Sequence, residues 1–147
     1  MSYVFLDKIP ATEHIESVVA NEDLAMGQWL KLGVLGEDGE SRAVTAAATA
    51  DDAEVFLADA PVSYGDPHFD LSTYKVKKGE TGRAFHLGKG DVISVTADLV
   101  AGAKTGDELT IGDNGLGFKK ADGKGIAMLI GKETKQLAGD VYVIAIR

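Results

Sequence analysis

Met26-Gly27-Gln28-Trp29-Leu30-Lys31-Leu32 and Thr105-Gly106-Asp107-Glu108-Leu109-Thr110-Ile111 read as two versions of one segment, and that reading decides the fold. Each has a glycine early, which supplies the backbone freedom of a tight turn, and then apolar residues at alternate positions, the period of a half-buried strand. Upstream, Ser17-Val18-Val19-Ala20 and then Leu24 parallel Ser94-Val95-Thr96-Ala97 and then Leu99. Downstream, Asp38-Gly39 before Arg42-Ala43-Val44 parallels Asn114-Gly115 before Phe118-Lys119-Lys120-Ala121, and both dipeptides are strong hairpin signals. Asp51 to Leu57 and Ala121 to Leu129 then each run from a polar turn into an apolar strand. Two copies of one unit are the simplest account. The parallel also settles Thr12 to Ala25, where Thr12, Glu13 and Glu16 resemble a helix start but Ile15, Val18 and Val19 are β-branched. It reads as strand, loop, strand.

Gly-Asp followed by alternating apolar residues occurs at Gly90-Asp91, Gly106-Asp107 and Gly139-Asp140. Each is expected to be a turn that launches a strand, with the aspartate bonding its own turn backbone. The expected fold class is therefore all-β with little helix, a compact β-barrel or sandwich-like module with an internal duplication. Residues 1–10 form an N-terminal arm, apolar from Tyr3 to Leu6 and closed by Ile9-Pro10. A single β-rich domain then covers 11–147, with repeat units at about 12–60 and 90–147 and a connecting insert at 61–89. The insert carries Tyr64, Phe69, Tyr74 and Phe85 and reads as a loop followed by strands at Ser72 to Lys77 and Arg83 to Leu87. Alanine-rich Thr45 to Ala53 fits a short helical turn or a flexible loop.

A chain of 147 residues suffices for one domain, or two small lobes sharing a core. Its 45% hydrophobic and 26% charged content is that of a soluble globular protein. A net charge of -8 argues against a nucleic-acid partner, because phosphate binding relies on clustered lysine and arginine. Lys75, Lys77 and Lys78 come nearest, and a short lysine run more often guards a strand edge. The absence of cysteine removes disulfides, thiolate nucleophiles and cysteine-ligated metals. No run approaches the roughly 20 apolar residues of a membrane helix. The start lacks the basic and long apolar regions of a signal peptide, so synthesis in the cytoplasm is expected and no membrane partner is.

Candidate chemistry is sparse. Among His14, His68 and His86, the pair His68-Phe69-Asp70 places two possible ligands two residues apart, short of the three ligands of a catalytic zinc. Gly131-Lys132-Glu133-Thr134 has neither the spacing nor the hydroxyl of a phosphate loop. Asp113-Asn114-Gly115 lacks the terminal glutamate of a calcium loop, and Gly112, Gly115 and Gly117 suit hairpin turns better than a dinucleotide fingerprint. The carboxylate pairs Glu22-Asp23, Glu37-Asp38 and Asp51-Asp52 stand in turn-like contexts, and no G-x-S-x-G elbow occurs. No enzyme, cofactor or metal is expected.

The aromatic residues and the arm are the candidate contacts. Tyr3, Val4, Phe5 and Leu6 could reach a neighbour as an added strand or apolar anchor. If Leu30 and Leu32 face the core, alternation turns Trp29 outward as a partner anchor, while a core position against the N-terminal arm is the equal alternative. Tyr64, Phe69 and Tyr74 carry the same two readings.

The chain resembles the small capsid decoration, or cement, proteins of tailed bacteriophages. The likeness lies in Ala20 to Leu30, Asp38-Gly39, Thr45 to Ala53, Thr96 to Ile111, Asp113-Asn114-Gly115, Gly125-Ile126-Ala127 and Gly139 to Val143. It implies a non-enzymatic virion protein on the outer capsid surface, bound to the major capsid protein and stabilising the shell. It also implies a homo-oligomer, with a trimer favoured. A carbohydrate- or receptor-binding β-module is the alternative, and would display an aromatic platform.

Overall fold

The two segments that relate the halves share their backbone hydrogen bonds. The computed structural model describes residues 4–8, 15–58, 75–135 and 139–147. Gly27 and Gly106 take φ of 86° and 97° in tight turns. These turns are closed by Gln28 N–H to Ala25 O and by Asp107 N–H to Lys104 O. Gly27 donates to Leu57 O while Leu57 donates to Gln28 O; in the second half Gly106 donates to Leu129 O and Leu129 to Asp107 O. Glu54 N–H to Leu30 O is matched by Ile126 N–H to Leu109 O, and Ala47 N–H to Trp29 O by Ala121 N–H to Glu108 O. Trp29 therefore corresponds to Glu108, Leu30 to Leu109 and Phe56 to Met128.

The strand order repeats as well. In the first lobe β2 (Ile15–Ala20), β4 (Trp29–Leu35), β5 (Arg42–Ala46), β6 (Val55–Leu57) and β8 (Thr81–Phe85) close a barrel in the order β2-β5-β4-β6-β8. β3 (Leu24–Ala25) and β7 (Lys75–Val76) pair as a small ribbon beside it. In the second lobe β9 (Val92–Thr96) and β10 (Val100–Ala101) are one path broken by the 3-10 turn Ala97–Leu99. β11 (Glu108–Ile111), β12 (Phe118–Lys120), β13 (Ala127–Lys135) and β14 (Gly139–Ile146) follow, in the order β9-β14-β13-β11-β12-β10. The one parallel contact described in each lobe falls at the same place, β2 with β5 and β10 with β12.

Two expectations change. The first unit does not stop near residue 60, because β8, from the expected insert, lies between β6 and β2 just as β14 lies between β13 and β9. Thr81-Gly82-Arg83-Ala84-Phe85 lacks the alternation that marks its counterpart, so the sequence parallel ends at Leu57. Gly90-Asp91 and Gly106-Asp107 are turns as expected, with the Asp91 and Asp107 carboxylates accepting from Gly88 N–H at 2.8 Å and Lys104 N–H at 2.9 Å. Gly139-Asp140 instead already lies inside β14, opposite Lys135 and Thr134. Thr45 to Ala53 finishes β5 and then turns irregularly, with Asp52 N–H bonded to Thr49 O.

The arm is the seventh strand of the second lobe. β1 (Val4–Lys8) runs antiparallel to β9 at the sheet edge, with Val4 opposite Val95. Two buried clusters follow from this architecture. Val18, Leu30, Val44, Val55, Leu57 and Ala84 fill the first barrel. Val95, Leu109, Ile111, Ala127, Leu129 and Ile144 belong to a larger cluster that also takes in Trp29, Ala47, Phe56 and Phe85 from the first lobe. The first barrel thus buries its inner face within itself and part of its outer face against the second lobe.

Candidate interaction surface

Trp29 and Leu30 are both interior, at 5% and 0% exposure, because β4 starts between two cores. Alternation assumes that one face of a strand meets solvent. Here each neighbour enters a different cluster, and Trp29 takes the interior alternative. Its ring lies 4.8 Å from that of Phe56 and 5.7 Å from that of Phe118, the latter edge-on, and its Nε1–H donates to Gly117 O at 3.1 Å. Phe118 was not singled out from the sequence. A partial signal was present: Trp29 and Phe56 correspond to Glu108 and Met128, so two of the three aromatics stand where the other copy is polar or flexible, while Phe118 corresponds to the buried Val44.

Of the other candidate contacts, Val4 is buried at 4%, Phe5 is half-buried and Leu6 is exposed. Tyr3, Tyr64, Phe69 and Tyr74 lie outside the described residues.

Besides the shared core, one turn carries the backbone hydrogen bond between the lobes among the described residues. Gly112 to Gly117 links β11 to β12, with Gly112 N–H bonded to Gly117 O and Gly115 N–H to Gly112 O. It docks on the first lobe through Gly117 N–H to Gly27 O at 2.8 Å and through Gln28 Nε2, which donates to Asn114 O at 3.0 Å. Glycine is required at this approach: a Cβ on Gly115, whose φ is 77°, would stand 2.2 Å from Ala47 O.

The corresponding turn of the first lobe is Gly36 to Ser41, with the same pair of bonds, Gly36 N–H to Ser41 O and Gly39 N–H to Gly36 O. Its surroundings are opposite. Every residue from Gly33 to Glu40 is exposed, Val34 at 77% and Leu35 at 57%, and a Cβ on Gly39 (φ 74°) would meet nothing within 4 Å. The hairpin is also longer. Leu30 to Leu35 spans five steps where Leu109 to Ile111 spans two, and Ser41 to Ala47 spans six where Gly117 to Ala121 spans four. The one-residue mismatch appears as the irregularity between Leu32 and Leu35, where Arg42 Nη2 donates to the Gly33 carbonyl at 2.9 Å.

Each turn holds a carboxylate in its charged form. Asp38 is held below the ordinary carboxylate range by the Ser41 hydroxyl, which donates at 2.7 Å, and by the N–H groups of Glu40 and Ser41. Asp113 is lowered by the Lys119 amine, which donates at 2.8 Å and adds its charge. Glu16, Arg42 and His86 form a surface cluster on the first barrel, with Glu16 Oε1 at 3.5 Å from Arg42 Nη1 and 3.3 Å from His86 Nε2.

The carboxylate pairs stay in turns. Asp23 accepts from Lys78 N–H, and Asp52 lies 3.8 Å from Lys31 Nζ. His14 and His68 lie outside the described residues, among which no group of three histidine, cysteine or acidic side chains could hold a metal. No helix among the described residues is long and apolar enough to cross a membrane. An open depression of about 370 Å³ lies between β2, β5 and β4, next to the long hairpin, with Lys31 and Thr45 on its lining.

No protein-family model and no curated protein matches the chain. Among solved structures it is similar to the N base of head fiber gp8.5 of bacteriophage phi29, at 16% identity and a TM-score of 0.53. The match covers 92% of this chain and 95% of that one, so the likeness is of the whole two-lobed fold.

Proposed function

We propose that this chain is a structural virion protein that decorates the outer surface of a bacteriophage head, binds the major capsid protein and stabilises the shell. The observation that carries the reading is the fold shared over nearly its full length with the base of a phage head fiber. The sequence resemblance to capsid decoration proteins, drawn from turn and strand motifs, leads to the same class. Its work would be binding alone. Repeated presentation of one patch over a lattice lets modest site affinities add, and a charge of -8 would keep decorated particles soluble. We also propose that it acts as a homo-oligomer, with a trimer favoured at symmetry points. Trp29 is interior and so cannot serve an aromatic glycan platform.

Co-sedimentation of purified protein with undecorated, expanded heads tests the reading. Saturable binding at a fixed number of copies per capsid subunit is expected. Failure to bind intact heads, together with binding on a glycan array, would replace decoration with the receptor-module reading.

A further inference from the structure

The two units pack head to tail, so the chain satisfies one turn and leaves its counterpart in solvent. The Gly112 to Gly117 turn is seated on the aromatic face of the first barrel, while Gly36 to Ser41 projects on a longer hairpin with Val34 and Leu35 exposed. We propose that the tip of this hairpin, Val34 to Glu40, is a docking element for a second protein whose surface offers an apolar depression edged by lysine or arginine. The inference rests on the function proposed above and assigns that surface to the head shell.

Three observations point to this occupant. A turn with the same hydrogen bonds already docks within the molecule, so the geometry is competent for it. The extra residues that lengthen the first hairpin include its two most exposed bulky apolar side chains, and such groups gain most from burial at an interface. Glu37, Asp38 and Glu40 surround them with negative charge, and Glu37 and Glu40 have no ion-pair partner among the described residues. Opposite charge on the partner steers and orients docking.

A second copy fits less well. Repeating the internal contact between copies would bring this acidic turn to the face where Glu108 and Met128 replace Trp29 and Phe56, with Asp107 adjacent. The aromatic rings that receive the internal turn are missing there, and the carboxylates of that face already pair with Arg147 and Lys120.

The test uses the full chain and expanded heads lacking it. Val34→Ser with Leu35→Thr should weaken binding at least about ten-fold with an unchanged melting temperature, as expected for an anchor lost from a surface. Glu37→Lys with Glu40→Lys should weaken binding and abolish its decrease with salt. A photo-crosslinking residue at position 35 should capture the shell subunit. Wild-type decoration combined with undiminished binding by both variants would overturn this inference alone; so would a crosslink only between copies of this chain. Absence of wild-type binding would remove the decoration reading, and this inference with it.

Discussion

The two lobes have one strand order and one set of turn hydrogen bonds, yet opposite surfaces at equivalent places. The first presents Trp29 and Phe56 outward to its neighbour, where the second has Glu108, bonded to Arg147, and Met128. The second presents Phe118 and a glycine-lined turn, where the first has Val44, buried in its own barrel, and an exposed hairpin. Two units of one strand order need not pack symmetrically. A face of the first unit and a turn of the second fit each other, leaving the second unit's face polar and the first unit's turn exposed.

The largest effect should come from breaking the shared core. Trp29→Ala should cost about 3–5 kcal/mol in urea unfolding, since it removes a buried ring and the Nε1–H bond to Gly117. Glu108→Ala, at the equivalent position, should cost no more than about 1 kcal/mol, because the pair it loses with Arg147 is half-exposed on the arginine side, although the glutamate side chain is itself mostly covered. Equal losses would show that the lobes are not specialised. The chain has a single tryptophan, so its emission in the folded protein should be that of a buried indole.

The glycine pair sharpens the contrast. Gly39→Ala and Gly115→Ala impose the same left-handed strain, about 1 kcal/mol. Gly115→Ala must also displace the Ala47 carbonyl, so its total should exceed about 2 kcal/mol. Differential scanning calorimetry of the two variants gives the difference directly.

Much of this contrast was legible in the sequence. The repeat is visible because turn chemistry is local: Gly27 and Gly106, and Asp38-Gly39 and Asn114-Gly115, mark the same hinges. The all-β class follows from that. The lobe interface was harder, since alternation cannot show that β4 is covered on both faces, and Trp29 therefore kept two readings. The sequence marks β8 as a strand but not its place in the barrel, which non-local pairing with β6 and β2 sets. Glu16, Arg42 and His86 come together only through the barrel's closure and leave no spacing signal.

The arm offers a smaller test. Val4→Ala should lower stability by about 2 kcal/mol through lost burial beside Val95, while Leu6→Ala should cost no more than about 0.5 kcal/mol. Comparable effects would mean that β1 is not held as described.

Smallest is the titration of the two turns. Asp38 and Asp113 both have lowered folded pKa values, so each contributes stability that is present above its unfolded pKa and lost as pH falls through its folded pKa. Both should titrate by NMR below the usual aspartate value of about 3.9. Raising ionic strength to about 1 M should move Asp113 toward that value more than Asp38, because Lys119 acts partly by charge, whereas Ser41 and the backbone act by hydrogen bonds.

The most direct measurement is a cryo-electron microscopy reconstruction of heads saturated with this protein. The account predicts ordered copies on the outer surface with the β4–β5 hairpin, Val34 to Glu40, turned into the shell. Bare shells, or copies held by the second lobe with that hairpin in solvent, would contradict it.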